Sequence, residues 1–224
     1  MKAILKRLVL GLTELAVFGL MIFLSAGTLN YWQAWVFLVV FAVSTWIPGI
    51  YVLCTNPVAL QRRSGGGPTA ETRTVQKVAM GGLWFSLAAL VILSALDHRF
   101  GWSRVPTALC LAGDVLLAIG LTVWMLVVVQ NSYAAATIRV ETGQTVVSTG
   151  VYGLVRHPMY TGNLIMMTGV PLALGSYWGL VFVIPGAIAL ALRIRDEEKL
   201  LHEHLNGYRE YTSKVRYRLV PYIW

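Results

Sequence analysis

Long apolar runs separated by short polar segments dominate the chain. Crossing the hydrocarbon core of a bilayer as a helix takes about 20 apolar residues. Four runs are long enough to do so, at residues 8–29, 32–54, 78–96 and 105–129. This pattern predicts an all-α fold, a polytopic bundle of transmembrane helices.

A fifth apolar region, residues 161–192, is too long for a single span and has a turn-like sequence at 175–179. We therefore predict a C-terminal hairpin of two short helices. Pro171 and Pro185 fall one in each arm, where a proline removes a backbone hydrogen bond and kinks the helix. The bundle then has four spans plus this hairpin, which gives six crossings, or five if the hairpin is only partly inserted.

The composition agrees with a membrane protein. The sequence is 57% hydrophobic and 12% charged, whereas soluble domains carry about 25% charged residues. So few charges cannot cover a water-facing surface, and we expect the lipid bilayer to be a partner. The net charge of +8 comes from basic residues scattered among apolar runs. Membrane orientation explains them better than nucleic-acid binding, so no nucleic-acid partner is expected.

The basic residues also predict an orientation. Of the 18 lysines and arginines, only Arg99 and Arg104 lie on the opposite side from the other 16 if the chain crosses six times. The positive-inside rule then predicts that both termini are cytoplasmic. The first run follows Lys2, Lys6 and Arg7 and is too long for an ordinary signal peptide, so we predict an uncleaved span.

Three polar segments, 56–77, 131–160 and 193–224, converge on that same face. The glycine triplet at 65–67 in the first segment is predicted to be a flexible turn, because no strand precedes it as a phosphate-binding loop would require. We see no internal repeat. The sequence therefore predicts one domain over 1–224, with a membrane scaffold at 1–129 and a cofactor-binding region at 130–224.

The densest group of polar residues, at 150–162, contains an Arg-His-Pro sequence. Pro158 keeps His157 out of helical geometry and suits the first turn of a following helix. Arg156 and His157 would then lie at a helix N-terminus, which favours an anion such as a carboxylate. Gly162 permits the close approach of a ligand to the backbone. The alternative is an interfacial loop anchored at headgroup depth, which would not require this order of residues.

A second group follows the last apolar helix and includes three adjacent carboxylates, Asp196, Glu197 and Glu198. At about 100° per residue, helical spacing directs them to different faces. One carboxylate is therefore expected to point into the bundle while another faces water. An inward carboxylate could accept hydrogen bonds from a ribose or lie near a cationic sulfonium. The alternative is a solvated helix that continues into the cytoplasm.

Other polar residues carry weaker predictions. The aromatic-rich tail from Tyr208 to the C-terminus is typical of a membrane-surface anchor. Glu14 and Asp114 lie within apparent spans, where an ionisable group is a functional hypothesis and interhelical hydrogen bonding is an equal one. Cys54 and Cys110 are predicted to be packing residues. No metal site is expected, because the histidine spacing fits no metal-binding motif.

The order of these motifs resembles one family. The Arg-His-Pro run through Gly162, the paired glutamates and the later Tyr208 and Tyr211 resemble the isoprenylcysteine carboxyl methyltransferase and phospholipid methyltransferase superfamily. The resemblance covers residues 150–221, and the first four helices match only in being hydrophobic. It implies a polytopic membrane enzyme that uses S-adenosyl-L-methionine and releases S-adenosyl-L-homocysteine. The acceptor is expected to be lipophilic or small and membrane-soluble, with a carboxylate, thiol or amine.

The resemblance also implies roles for individual residues. Glu198 and Arg216 are predicted to be catalytic, and Arg216 or Arg218 is expected to bind an anionic group of the acceptor. The site should face the cytoplasm, because the cofactor is water-soluble. The predicted cofactor-binding residues are Tyr152, Val155, Arg156, His157, Tyr160, Gly162, Glu197 and Glu198.

Two other functions stay open. Membrane sterol reductases that use NADPH share the C-terminal pattern more loosely, although they are usually longer with more spans. A non-catalytic transporter or scaffold is the second alternative. Few charges in the spans and no paired half-repeat argue against it.

Overall fold

The computed structural model describes residues 2–56, 71, 73–133, 137 and 143–224, and the predicted glycine turn at 65–67 lies outside these ranges. The described residues form helices and turns with no β-strand. The α-helices are α1 Lys2–Ala26, α2 Trp32–Thr55, α3 Thr74–Phe100, α4 Thr107–Gln130, α5 Pro158–Ala173, α6 Val183–His204 and α7 Tyr208–Lys214. Short 3-10 turns at Gly150–Gly153 and Trp178–Phe182 precede α5 and α6. The predicted all-α membrane bundle is confirmed.

Five helical segments in the described part of the chain are long and apolar enough to cross a membrane: Leu8–Ala26, Trp32–Thr55, Thr74–Phe100, Thr107–Gln130 and Trp178–His204. Large apolar side chains cover much of their outer surface, as expected of helices that face lipid. The chain is therefore an integral, multi-pass membrane protein. The fifth segment makes α6 the long arm of the hairpin, so the prediction of two short arms is wrong for α6.

The ends of the predicted spans shift by a few residues for local reasons. Gly27 has a φ of +68° and Gly101 a φ of +65°, and each follows the last residue of a helix. A glycine in this left-handed conformation commonly ends a helix. As a result α1 stops at Ala26, whereas α3 runs past the predicted end at Leu96 to Phe100.

The hairpin turn is fixed by hydrogen bonds at the end of α3. Ser176 donates a hydrogen bond of 2.5 Å to the buried carboxylate of Asp97, which also accepts a bond of 2.6 Å from the Ser103 hydroxyl. Gly175 has a φ of +71° and supplies the reversal. Pro171 lies inside α5 as predicted. Pro185 is only the third residue of α6, where no intrahelical N–H bond is needed, so the kink predicted in that arm is corrected.

Glycines allow α4 and α5 to pack with their backbones in close contact. A Cβ atom added at Gly113 would lie 2.7 Å from the carbonyl oxygen of Gly169, and one at Gly120 would lie 2.7 Å from that of Gly162. Both pairs are seven residues apart along their helices, so they repeat after two turns on the same face. Such small-residue contacts are typical of helix association in membranes. This contact holds α5, which begins at the Arg-His-Pro motif, against α4.

The two acidic residues predicted inside spans lie in different surroundings. Asp114 of α4 is buried, and neither of its carboxylate oxygens has a hydrogen-bond partner within the described part of the structure. Glu14 of α1 is half-buried and has a partner. Both residues are far from the Arg-His-Pro motif in sequence, and their functions stay hypotheses.

Candidate functional site

The Arg-His-Pro segment is held between the end of α4 and the C-terminal tail. The 3-10 turn at Gly150–Gly153 bonds to α4 through the Gln130 side chain, which accepts a 3.1 Å hydrogen bond from the Val151 N–H. The N–H groups of Arg156 and His157 donate bonds of 2.9 Å to the carbonyls of Tyr217 and Arg218. Pro158 is the first residue of α5, as predicted. The tail therefore fixes the backbone that carries both side chains.

Glu198 is the centre of a buried ion cluster. Its Oε1 lies 2.7 Å from Nε of Arg156 and 3.4 Å from Nε2 of His157. Its Oε2 accepts a hydrogen bond of 2.7 Å from Nε of Arg218. The two side chains that precede α5 thus pair with a carboxylate that the chain itself supplies. Charges from three separate segments meet here, which ties the tail, the Arg-His-Pro segment and α6 together.

Glu197 belongs to a second, adjacent cluster. The Tyr160 hydroxyl donates a 2.7 Å hydrogen bond to Oε2 of Glu197 and accepts a 2.9 Å bond from Nε of Arg193. The His157 ring stacks on the Tyr160 ring, with centroids 5.7 Å apart and an interplanar angle of 17°. Glu197 is therefore presented from α6 with its direction set by a tyrosine of α5.

Arg193 is anchored in turn by residues just before α3 and in its first turn. Its Nη2 lies 2.7 Å from Oε1 of the buried Glu71, and its Nη1 donates a 2.9 Å hydrogen bond to Gln76. Gln76 also donates a 2.6 Å bond to Asp196, which pairs with Arg73 at 2.8 Å. The three adjacent carboxylates consequently all have partners. Asp196 and Glu198 are buried beneath cations and amides from other segments, whereas the Glu197 side chain is 22% exposed and lines the cleft described next.

A cleft opens between these elements. The segment at 144–147 and α7 form one side, and the Arg-His-Pro segment with α6 forms the other. Five residues predicted to bind the cofactor line it, namely Tyr152, Arg156, His157, Tyr160 and Glu197. Other residues that line it are Asn131, Tyr133, Leu201, Leu205, Tyr208 and Tyr211.

The structure corrects the anchor prediction for Tyr208 and Tyr211. Both are buried, in a cluster with Leu205 and Val215. The Tyr211 hydroxyl donates a 2.7 Å bond to the Tyr152 carbonyl, whereas the Tyr208 hydroxyl has no hydrogen-bond partner among the described residues. Burial, followed by the charges of Glu198 and Glu197, raises the pKa of Tyr208, so this hydroxyl stays a protonated donor. Their spacing of three, which puts both rings on one face of α7, was the available signal.

Four predicted site residues lie outside the cleft lining. Gly162 faces Gly120 and Trp124 of α4, so helix packing and not a ligand accounts for the missing side chain. Val155 is buried behind the cleft. Glu198 is occupied by its three cationic partners, and Arg216 is exposed on the tail, where Arg218 and not Arg216 reaches Glu198. The structure places these four residues beside the cleft lining, and their predicted roles stay predictions.

Comparison with known proteins bears on the segment that contains this site. The family model described as phospholipid methyltransferase matches residues 108–207. The match runs from α4 through α6 and includes both the Arg-His-Pro motif and the paired glutamates. Residues 108–207 are therefore similar to the phospholipid methyltransferase family. The matched segment contains every predicted site residue except Arg216. It also contains the glycine contact that joins α4 to α5.

Curated relatives of the chain carry different names. It is 34% identical over 91 residues to the Delta(14)-sterol reductase TM7SF2 of Mus musculus, which covers 39% of this chain and 22% of that protein. It is 33% identical over 82 residues to a probable 7-dehydrocholesterol reductase of Acanthamoeba polyphaga mimivirus, covering 34% of this chain and 18% of the relative. The chain thus spans about a fifth of the length of these relatives. The family and the relatives all carry enzyme names, and these names differ in the reaction.

Proposed function

We propose that this protein is an S-adenosyl-L-methionine-dependent methyltransferase that acts on a lipophilic acceptor. The observation that carries the proposal is the cleft where Tyr160 and His157 of the Arg-His-Pro motif meet Glu197 of the paired glutamates. A tyrosine–glutamate hydrogen bond of 2.7 Å joins the two motifs across the α5–α6 contact. The family match over the same residues supports methyl transfer.

The cleft suits a cationic donor better than a polyanionic one. Among its described lining residues the fully charged side chains are Arg156 and Glu197, and the charge of Arg156 is already paired with Glu198. Five tyrosines line it as well, namely Tyr133, Tyr152, Tyr160, Tyr208 and Tyr211. Aromatic faces attract a cation by about 0.5–2 kcal/mol. A sulfonium would therefore meet a carboxylate and aromatic rings here, whereas the phosphates of NADPH would meet no unpaired arginine or lysine among the described lining residues.

The cleft also contains a hydrogen-bond donor that a bound cofactor would satisfy. The buried Tyr208 hydroxyl lines the cleft without a hydrogen-bond partner among the described residues. Leaving a buried donor unpaired costs about 1–3 kcal/mol. A ligand with a carboxylate, hydroxyl or ring nitrogen acceptor would satisfy it. We infer that Tyr208, which was not predicted as a cofactor-binding residue, belongs with Tyr160, His157 and Glu197.

Some residues of the site would contact the cofactor, and others hold those residues in position. When bound, S-adenosyl-L-methionine supplies an electrophilic methyl group on a sulfonium centre. Glu197 would hold the positive or hydroxyl-bearing part of this cofactor, and the tyrosine rings would exclude water from it. Glu198 acts through Arg156 and His157, whose orientation it fixes, and is a positioning residue in this proposal. Alignment of this kind can contribute up to about 7–11 kcal/mol to a transfer reaction.

A membrane location explains the choice of acceptor. A lipophilic carboxylate, thiol or amine dissolves in the bilayer, while the cofactor is supplied from water. Arg216 is exposed beside the cluster and is proposed to meet an anionic acceptor group, as the sequence predicted. We further propose that this end of the bundle and both termini are cytoplasmic, because the basic residues concentrate there.

A reductase that uses NADPH is the second candidate, favoured by the names of the two curated relatives. A transfer assay separates the two. Membranes that contain the full chain are incubated with S-adenosyl-L-methionine labelled in its methyl group, and label extracted into organic solvent is measured. The proposal predicts labelled lipophilic product that is lost with His157→Ala. If no label is transferred and the same membranes reduce an added sterol with NADPH, the methyltransferase proposal is wrong and the protein is a reductase.

A further inference from the structure

A second cleft lies on the other side of Glu198 from the cofactor cleft. It is formed by the last turns of α6, the start of α7 and the tail. Five cationic or titratable nitrogen side chains line it, together with two carboxylates. These residues are Arg195, Lys199, His202, Arg209, Arg218, Glu198 and Glu203. We call this concavity the basic cleft.

Three cations of the basic cleft have no counter-ion in the described part of the chain. Arg195, Lys199 and Arg209 form no ion pair or hydrogen bond through their side chains with any residue that the structure describes. Of the two carboxylates, Glu198 is already shared between Arg156, His157 and Arg218. Glu203 is largely exposed, and its side chain is 3.9 Å from His204, which does not line the cleft. Arg195 and Lys199 are one turn apart, and such like-charge pairs disfavour the helix unless an anion joins them.

The outer face of α6 leads directly into this cleft. Ile184, Ile188 and Leu192 are 65%, 57% and 43% exposed and follow one another at one-turn intervals. The next two positions of the same stripe, three and then four residues on, are Arg195 and Lys199, which are both exposed. Because α6 belongs to a segment able to cross a membrane, its exposed apolar residues face acyl chains. The change from isoleucine and leucine to arginine and lysine marks the depth of the lipid phosphates.

We propose that the basic cleft binds the phosphate of an anionic phospholipid whose acyl chain lies along the Ile184–Ile188–Leu192 stripe. Arg195, Lys199 and Arg209 donate to the phosphate oxygens, since arginine and lysine are the side chains best suited to phosphate. This lipid is a bound partner of the fold and not the methyl acceptor. The cofactor cleft lies beyond Glu198, so the proposal holds whichever reaction the cofactor cleft performs.

The test compares two double variants that remove the same charge. Arg195→Gln with Lys199→Gln neutralises the basic cleft. The matched control is Lys77→Gln with Lys214→Gln, because both lysines are exposed and neither lines the cleft. Each full-length protein is reconstituted in nanodiscs of phosphatidylcholine mixed with phosphatidylglycerol. Native mass spectrometry then measures which lipid stays bound after the disc is removed, and thermal unfolding checks the fold.

The wild type and the control should retain phosphatidylglycerol in preference to phosphatidylcholine. The cleft variant should lose that preference by about tenfold or more, since each basic residue at the surface adds to the binding of anionic lipid. Equal preference in all three proteins, or equal loss in both variants, would overturn the proposal. If the cleft variant does not fold, Arg209→Gln against Lys214→Gln makes the same comparison with a smaller expected loss.

The purified wild-type protein also tests whether the basic cleft binds a soluble phosphate compound instead of a lipid. Glycerol phosphate or NADPH is added to the purified wild type, and retention of phosphatidylglycerol is measured again. The proposal predicts no displacement, because the acyl chain contributes to binding. Displacement by either compound at a concentration equal to that of the lipid would assign the basic cleft to a soluble phosphate and contradict the lipid proposal.

Discussion

The hydroxyl group of Tyr160 donates a hydrogen bond of 2.7 Å to Oε2 of Glu197. This bond joins the first residues of α5 to the last third of α6, which are 37 positions apart in sequence. Arg193 donates to the same hydroxyl at 2.9 Å and is itself held by Glu71 and by Gln76 of α3. The orientation of the cleft carboxylate therefore depends on a chain of buried partners that reaches α3.

Replacing Tyr160 by phenylalanine removes this bridge and keeps the ring. Hydrogen bonds to charged groups contribute about 1.5–3 kcal/mol, so we expect S-adenosyl-L-homocysteine to bind about tenfold more weakly. Calorimetry on the purified variant measures the affinity. Tyr217→Phe is the control, because Tyr217 does not line the cleft. If both variants bind as tightly as the wild type, Tyr160 does not shape the binding site.

In the absence of ligand, Tyr208→Phe and Tyr211→Phe should have different effects on the melting temperature. The Tyr208 hydroxyl is buried without a partner among the described residues, so its removal should leave the melting temperature unchanged or raise it. The Tyr211 hydroxyl donates to the Tyr152 carbonyl, and its loss should lower the melting temperature. Tyr208→Phe should nevertheless weaken cofactor binding. A variant with reduced stability but full affinity would show that Tyr208 has a structural role only.

Glu198→Gln should destabilise the protein. The substitution leaves Arg156, a cation with a side chain only 8% exposed, without its carboxylate. Breaking a buried pair on one side costs about 3–5 kcal/mol, and the partial exposure of Arg218 puts the expected loss near 3 kcal/mol. Thermal unfolding in detergent measures it. Glu203→Gln, on the exposed side of the same helix, should change the melting temperature little. Equal melting temperatures for the Glu198→Gln and Glu203→Gln variants would show that the ion cluster does not stabilise the protein.

The α4–α5 contact can be tested with two glycine substitutions in apolar helices. A Cβ atom at Gly113 would lie 2.3 Å from the backbone nitrogen of Ala173, whereas one at Gly81 has no neighbour within 4 Å. Gly113→Ala should therefore cost about 1–3 kcal/mol through displaced helices. Gly81→Ala should be neutral or slightly stabilising. Similar unfolding curves for the two variants would contradict backbone contact between α4 and α5.

The sequence predicted the helices well because lipid imposes a simple rule. Apolar runs long enough to cross the bilayer must be helical, since no water satisfies their backbone groups. The exact ends were not predictable from hydropathy. They depend on single residues such as Gly27 and Gly101, and on polar partners such as Gln76 that extend α3 beyond its apolar part. The length of α6 was underestimated because its charged end, up to His204, looked like a separate segment.

The candidate site was predictable in its motifs and less so in its contacts. Pro158 fixed the start of α5 locally, and the paired glutamates followed from the pattern of charges. Which glutamate faces the cleft depends on the packing of α6 against α3 and the tail, and helical spacing alone left it open. Gly162 seemed to be a ligand position because a single sequence cannot show that Gly120, on another helix, requires it. Tyr208 was missed because an aromatic tail looks alike whether it is buried or at the membrane surface.

The central claim is that the cleft formed by Tyr160, His157 and Glu197 binds S-adenosyl-L-methionine. Calorimetric titration of the purified wild-type protein with S-adenosyl-L-homocysteine and, separately, with NADPH tests it most directly. We predict saturable binding of S-adenosyl-L-homocysteine that His157→Ala weakens in a folded protein, and no binding of NADPH in the same buffer. Saturable binding of NADPH without binding of S-adenosyl-L-homocysteine would contradict the methyltransferase proposal.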